Sequence, residues 1–215
     1  LSSDVQAHYL SSFDRTGKNN DGFEGRYSAL YVDDRGEHVI LDVKGPGAVY
    51  TLWFTSRENG WAKLGWGRLK FYFDDEAEAR LDIDADEFFS GERPPFVAPF
   101  VFDRFASSGG YVSHLPFPFE RRLRITTENR VGFYNVYYHT YSPSRRVESW
   151  TGREDSSRVA RMWNEAGRDP KPAGATEVFS GTVDLAAPTM PDGDMAPVVA
   201  PVFEWNGVGA ITSLR

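Results

Sequence analysis

Between Ser11 and Phe23 the chain reads SSFDRTGKNNDGF, which crowds Asp14, Arg15, Asn19, Asn20 and Asp21 around Gly17 and Gly22. Such a stretch is a poor strand and a poor helix, so it predicts a loop whose side chains are presented by tight turns. Carboxylates, amides and a guanidinium at that density can grip the hydroxyls of a polyol or pin their own loop. An arginine between Asp14 and the Asn20-Asp21 pair would be held by carboxylate in a fork suited to donating two hydrogen bonds to adjacent hydroxyls. The spacing does not match an EF-hand, so neither a metal nor a cofactor is assigned. A second group is Trp53-Phe54-Thr55, where an indole and a hydroxyl can bound a sugar ring by stacking and hydrogen bonding. One of its two aromatics is expected in the core.

Two further clusters carry less. In Asp82–Phe89 (DIDADEFF) the acids Asp82, Asp84 and Asp86 lie two apart and would share one face of a strand. A pair of carboxyl groups can cleave a glycosidic bond, but like charges that close ordinarily form a solvated face. Tyr137, Tyr138, His139 and Tyr141 make a polar-aromatic strand end in which a lone histidine is ordinarily structural. No Ser-His-Asp arrangement, P-loop or paired-histidine metal motif stands out.

The elements that must position these groups are strands almost throughout. Val39–Val43, Val49–Phe54, Leu69–Phe73, Ala79–Ile83, Leu123–Thr127 and Gly132–Tyr141 alternate apolar with polar or are rich in β-branched and aromatic residues. Glycine, proline and acidic clusters separate them, which predicts an all-β fold, a β-sandwich or jelly roll. Asp155–Ala166 alone has helical character, with Asp155 or Ser156 as its cap and Val159, Met162, Trp163 and Ala166 on one face. Beyond it the chain is dense in Pro, Gly, Asp and Ala, as in an extended connector.

One pattern is written twice. Ile40–Trp53 (ILDVKGPGAVYTLW) and Val202–Arg215 (VFEWNGVGAITSLR) share an acid, a Gly-x-Gly-Ala and a Thr/Ser-Leu at one offset. Shared spacing over such a length is the mark of duplicated units, although glycine turns before strands can look similar. The expected organisation is a first jelly roll over 1–150, a helix and connector over 151–201, and the opening strand of a second jelly roll over 202–215. That last strand is expected to pair with residues outside the chain.

Composition narrows the classes. A net charge of −7 argues against nucleic acid, and the 19 Arg against five Lys read as the coding bias of a GC-rich bacterial genome. No apolar run approaches the roughly 18 residues of a membrane span. The first ten residues lack the basic start and apolar core of a signal peptide, and a secreted protein after processing would look the same. Cysteine is absent, so the compartment stays open. Trp61 and Trp66 sit in a Gly-rich stretch between strands, where at least one is expected to reach another subunit or close over a ligand.

In order, SSFDRTG with NND, GPGAVYTLWFT, GRLKFYFDDE, DEFF, LPFPF and YNVYYHTY resemble glycoside hydrolase family 172, which holds α-D-fructofuranosidases, difructose dianhydride synthase/hydrolases and exo-D-arabinofuranosidases. The resemblance runs from about Ser11 to Tyr141 and, through GVGAITSL, into the last residues. It implies two tandem jelly rolls per subunit, trimers or hexamers, and a site near a subunit boundary. It also implies a retaining, exo-acting glycosidase for α-linked fructofuranosides or D-arabinofuranosides. The family's two catalytic glutamates lie in WGEGD-like and GTGTED-like stretches that do not occur here, so no catalytic residue is assigned and both are expected beyond Arg215 or on another chain. Asp14, Arg15, Asn20, Asp21, Trp53 and Thr55 carry over as the sugar subsite. The first half departs from the family at Asp74-Asp75-Glu76, Glu87-Phe88-Phe89-Ser90 and His139-Thr140-Tyr141. The competing reading is a non-catalytic jelly roll that binds carbohydrate or builds a capsid-like assembly.

Overall fold

The computed structural model describes residues 4–23, 25–55, 65–107, 109–166, 204 and 206. The chain divides into two compact units, Leu1–Arg168 and Asp169–Arg215, and the described elements all lie in the first. In chain order they are β1 (Val5–Ser11), β2 (Tyr31–Val32), β3 (His38–Lys44), β4 (Gly47–Thr55), β5 (Arg68–Phe73) and β6 (Leu81–Asp84), then helix α1 (Ala85–Phe88). There follow β7 (Glu92–Arg93), β8 (Phe96–Val97), β9 (Val101–Phe102), β10 (Tyr111–Ser113), β11 (Phe117–Phe119), β12 (Arg122–Thr127), β13 (Phe133–Tyr141) and helix α2 (Ser157–Asn164). The strand expected over 202–215 lies outside the described residues apart from Glu204 and Asn206.

The strands form an all-β sandwich. One sheet runs β1-β13-β4-β10-β9 with β11 also on β4, the other β2-β3-β12-β5-β6, and β7 pairs with β8 separately. Every pairing is antiparallel, as hairpins and short crossovers allow. Alternation drives each strand's inner residues into one aromatic core: Leu52 and Phe54 from β4, Tyr134 and Val136 from β13, Leu69, Phe71 and Phe73 from β5, Leu123 and Ile125 from β12. Phe71 and Phe117 meet across the two sheets with ring centroids 4.6 Å apart. Phe54, 0 % exposed, lies 4.8 Å from Trp66 and 5.7 Å from Phe89.

The six expected strands are present with their ends moved by one or two residues, and β1 and the two- and three-residue strands are additional. The first Gly-x-Gly-Ala copy is not a positive-φ turn. A Cβ on Gly45 would come within 2.7 Å of the Phe119 ring, and one on Gly47 within 2.5 Å of both that ring and the His139 carbonyl oxygen. These glycines therefore serve close packing between β4, β11 and β13.

One expectation is overturned. Asp82, Asp84 and Asp86 do not share a strand face, because Asp84 ends β6 and caps α1, accepting from the backbone N–H of Asp86 at 2.9 Å and of Glu87 at 3.3 Å. Asp86 and Glu87 then occupy the first helical turn, where the helix dipole favours acids, and Ala85 and Phe88 turn inward. Of the two tryptophans expected at a subunit or ligand contact, Trp66 turns inward, 1 % exposed in its own core and packed against Phe54, Phe89 and Tyr111. Trp61 lies outside the described residues. Helix α2 carries the predicted apolar stripe, and its Trp163 ring lies against Phe100 and His114 while Val159 and Met162 stay exposed.

The outer faces of the two sheets differ in kind. On the sheet of β3, β12 and β5, acids and bases neutralise one another: Arg122 forks onto Asp42 at 2.7 and 2.8 Å, Arg124 reaches Asp33 at 3.3 Å, and Lys70 meets Glu37. Burial alone would raise the Glu37 pKa, but hydrogen bonds from Lys70, Thr126 and Tyr72 outweigh it and hold the carboxyl below its ordinary value. On the other sheet β1 (VQAHYLS), β4 (GAVYTLWFT) and β13 (FYNVYYHTY) contain no Lys, Arg, Asp or Glu at all.

Removing the central ring tests the core assignment. Phe54→Ala is expected to lower the unfolding free energy by about 3–5 kcal/mol, read from the shift of the urea midpoint at constant slope. A loss below about 1 kcal/mol would remove Phe54 from the core.

Candidate functional site

Alternation along β4 sends Phe54 inward and Trp53 and Thr55 outward. Register then sets Trp53 opposite Asn135 on β13, and Asn135 opposite Ser11 on β1, so Ser11, Asn135 and Trp53 form one row across three strands. Phe133 is paired with Thr55 in the next row, and its ring meets Phe23 edge-on at 4.9 Å. Trp53 packs over Gly110, where a Cβ would come within 2.2 Å of the indole Nε1. That close approach seats the indole low on the sheet.

The loop after β1 supplies the rim. Ser12 prolongs the β1–β13 ladder, donating its N–H to the Tyr134 carbonyl at 3.1 Å and accepting the Tyr134 N–H on its Oγ at 3.3 Å. Beyond it, Gly17 and Gly22 take positive φ of 75° and 85°, as tight turns require. Asp14 is the hub: buried, it accepts on Oδ1 from the Thr16 N–H (2.9 Å) and hydroxyl (2.7 Å) and on Oδ2 from the Asn20 N–H (3.2 Å). The Tyr27 hydroxyl also bonds to it, and the Asp14 N–H donates to Asp21 Oδ1 at 2.7 Å. The Thr16 hydrogen bonds are the main reason its pKa falls from 3.8 to about 2, and the Asp14 carboxylate in turn raises that of the Tyr27 phenol.

These pieces enclose a groove of about 470 Å³, within the size range of small-molecule sites. Tyr9, Phe13, Trp53 and Phe133 make aromatic walls, while Ser11, Ser12, Asp21 and Asn135 contribute polar groups. Asp21 is its one carboxylate, and no lysine or arginine lines it among the described residues.

Of the six residues expected from sequence, Asp21 and Trp53 line this groove. Thr55 lies on the Trp53 face beside Phe133, Asp14 and the Asn20 backbone hold the loop from within, and Arg15 stands apart. The expected carboxylate fork around Arg15 does not form. Its guanidinium donates to the Phe13 carbonyl and covers the Phe13 ring at 4.3 Å and the Tyr27 ring at 5.4 Å. Asp14 is already occupied by Thr16, Asn20 and Tyr27, so the guanidinium turns to the Phe13 carbonyl and the two rings instead. The guanidinium also opposes the rise that burial imposes on the Tyr134 phenol.

Sequence reasoning missed Tyr9, Ser11, Ser12, Phe13, Phe133 and Asn135. Ser11, Ser12 and Phe13 lie inside the motif that drew attention to Asp14, and Asn135 inside YNVYYHTY. The signal that selects them is outward parity on β1 and β13, and it requires knowing that these two strands pair.

Fold and groove define a β-sandwich domain with an aromatic-walled, weakly acidic cleft on the uncharged face of one sheet. Residues 3–158 match the model of the GH172 first beta-sandwich domain, well over half of the chain, and the chain belongs to that glycoside hydrolase family. No individual curated protein matches it.

The Asp14 hub has a pH signature. A carboxyl whose pKa falls on folding adds stability that is complete above its unfolded value and lost as pH drops through the folded one. Its contribution is therefore intact well above pH 3.8 and fades towards pH 2. Asp14→Asn is expected to lower the melting temperature at neutral pH and to flatten its fall between those two values. An acid limb as steep as that of the wild type would mean that the Asp14 carboxylate is not held by its partners.

Proposed function

We propose that this domain supplies the sugar-binding half of a glycosidase that cleaves α-linked furanosides, fructofuranosides or D-arabinofuranosides. Family membership supports the reaction class, and the groove carries the assignment of the sugar site. An indole seated beside a carboxylate and a carboxamide, with no cation in the lining among the described residues, suits a neutral polyol better than a phosphate or a sugar acid. The aromatic walls cover the apolar faces of the ring, and the polar groups meet its hydroxyls.

Hydrolysis itself needs two carboxyl groups flanking the scissile bond, about 5–5.5 Å apart in a retaining enzyme. Among the described residues the groove holds a single carboxylate, Asp21, which the Asp14 N–H fixes and which cannot make such a pair alone. We therefore assign both catalytic glutamates, nucleophile and general acid/base, to the second jelly roll of the same protein or to another chain of a trimer or hexamer. In this retaining, exo-acting scheme one glutamate attacks the anomeric carbon while the other protonates the leaving oxygen, and water then releases the sugar. Holding the ring in this groove aligns the anomeric carbon before either step, and orientation of that kind accelerates reactions without new chemistry. A non-catalytic carbohydrate-binding role for the domain alone rests on the same single carboxylate.

The complete protein assayed on aryl α-D-arabinofuranosides and α-D-fructofuranosides tests this. Trp53→Ala is expected to lower kcat/KM at least tenfold, about 1.4 kcal/mol, with the melting temperature little changed because the indole lies outside the core. Full activity in that variant, or no furanoside cleavage by the wild type, would end the proposal.

A further inference from the structure

The Tyr9 hydroxyl donates to Asn135 Oδ1 at 2.6 Å across strands β1 and β13. A carboxamide has one acceptor end and one donor end, and which end faces a ligand is decided by what holds the other. With Oδ1 engaged by the phenol, the two Nδ2 hydrogens remain for the groove that Asn135 lines. The Tyr9 ring is itself braced, lying 4.7 Å from that of its cross-strand partner Tyr137. Asp21 lines the same groove, its Oδ1 taken by the Asp14 N–H and its Oδ2 carried on the same carboxylate. The groove thus presents a donor on β13 and an acceptor on the loop, with Trp53 beside Asn135 in the sheet row.

From this geometry we infer that Asn135 is a specificity-determining donor to one ring hydroxyl oxygen of the sugar, and that Tyr9 is the positioning residue that sets its polarity. The inference rests on the sugar-site reading above and deepens it. A hydroxyl both accepts and donates, so one that accepts from Asn135 can pass its own hydrogen to the carboxylate of Asp21 or to a neighbouring oxygen. A ligand with hydrogen or an alkyl group at that position leaves the amide unpaired against an aromatic wall, and sites built around a hydrogen bond reject such analogues strongly. The Phe13 and Phe133 walls, which offer no side-chain hydrogen bond, sharpen that penalty.

The test uses the complete protein, with isothermal titration of methyl α-D-arabinofuranoside, a set of its derivatives each lacking one hydroxyl, and hydrolysis of the aryl furanoside. Asn135→Asp keeps shape but replaces the donor by an acceptor, and it is expected to weaken binding about tenfold or more, the weight of a lost hydrogen bond. The hydrolytic loss is expected in KM. Asn135→Ala should bind wild-type glycoside and one particular deoxy derivative equally, whereas the wild-type protein separates them. Tyr9→Phe should weaken binding several-fold alone and add nothing in the Asn135→Ala background, the mark of a residue that acts through another. Melting temperatures of all variants report folding, and the two Asn135 variants serve as checks on each other. Wild-type affinity in Asn135→Asp, or additive effects of Tyr9→Phe and Asn135→Ala, would overturn the inference. If the glycoside binds as described but is never cleaved, the furanosidase reading falls and this one stands. If cleavage proceeds unchanged in Asn135→Asp, the reverse holds, and a protein that binds no glycoside refutes both.

Discussion

Strand β4 has to satisfy two faces at once, and the site exists because it can. Its inward residues Leu52 and Phe54 sit in the core, while Trp53 and Thr55, one step out of phase, sit on the open face. A slip of one residue in pairing would exchange the two sets, burying an indole where a phenyl fits and exposing a core ring. The register is held on both sides. β13 pairs along nearly the whole length of β4, β10 and β11 pair with its other edge, and the Phe119 ring and His139 carbonyl pack against Gly45 and Gly47 at its start. Burial of Phe54 is thus the term that fixes where Trp53 stands, and the groove inherits its geometry from the core.

The loop after β1 is tied to the same frame by different means. Ser12 extends the ladder, so Phe13 and the turns beyond begin from a fixed point beside Tyr134. From there backbone N–H groups converge on the carboxylates of Asp14 and Asp21, which lets a glycine-containing segment with few apolar residues keep one shape. Arg15 adds a lid of another kind, its guanidinium lying on Phe13 and Tyr27 in place of an ion pair. A charge that stacks on the loop's own rings and donates to its own carbonyl is well placed to stiffen the rim of the groove.

Strands were legible because alternation in β3, β4, β5, β12 and β13 is imposed by a half-buried sheet, and it survives in one-dimensional spacing. Asp14, Asp21 and Trp53 were legible by residue type. What a linear reading could not reach was pairing: Tyr9 and Asn135 are 126 residues apart and meet only through the β1–β13 register. DIDADEFF misled because acids spaced two apart look like a strand face, whereas Asp84 stops the strand by offering its carboxylate to two backbone N–H groups. Trp66 misled because a loop tryptophan suggested an exposed contact, yet residues 65–67, irregular as expected, turn the indole inward where Phe54 and Phe89 receive it. In both cases a local pattern was overruled by an interaction with residues distant in sequence.

The contrast between the two outer faces bears on what each can meet. Where Arg122, Arg124 and Lys70 have their acids already in place, a new charged partner would have to displace an existing ion pair and gain little by it. The face of β1, β4 and β13 offers no such competition, and it exposes Tyr9, Tyr50 and Tyr137 without a lysine, arginine or carboxylate on any of the three strands. Among the described residues, charge enters its groove only through Asp21, from the rim. An anionic ligand would meet that carboxylate without a counter-cation in the lining, and a cationic one would find a single carboxylate among aromatic walls. A neutral ring with hydroxyls on its edge and carbon on its faces incurs neither penalty, because its edge can be hydrogen-bonded by Asn135 and Asp21 while its faces displace water from the aromatic walls.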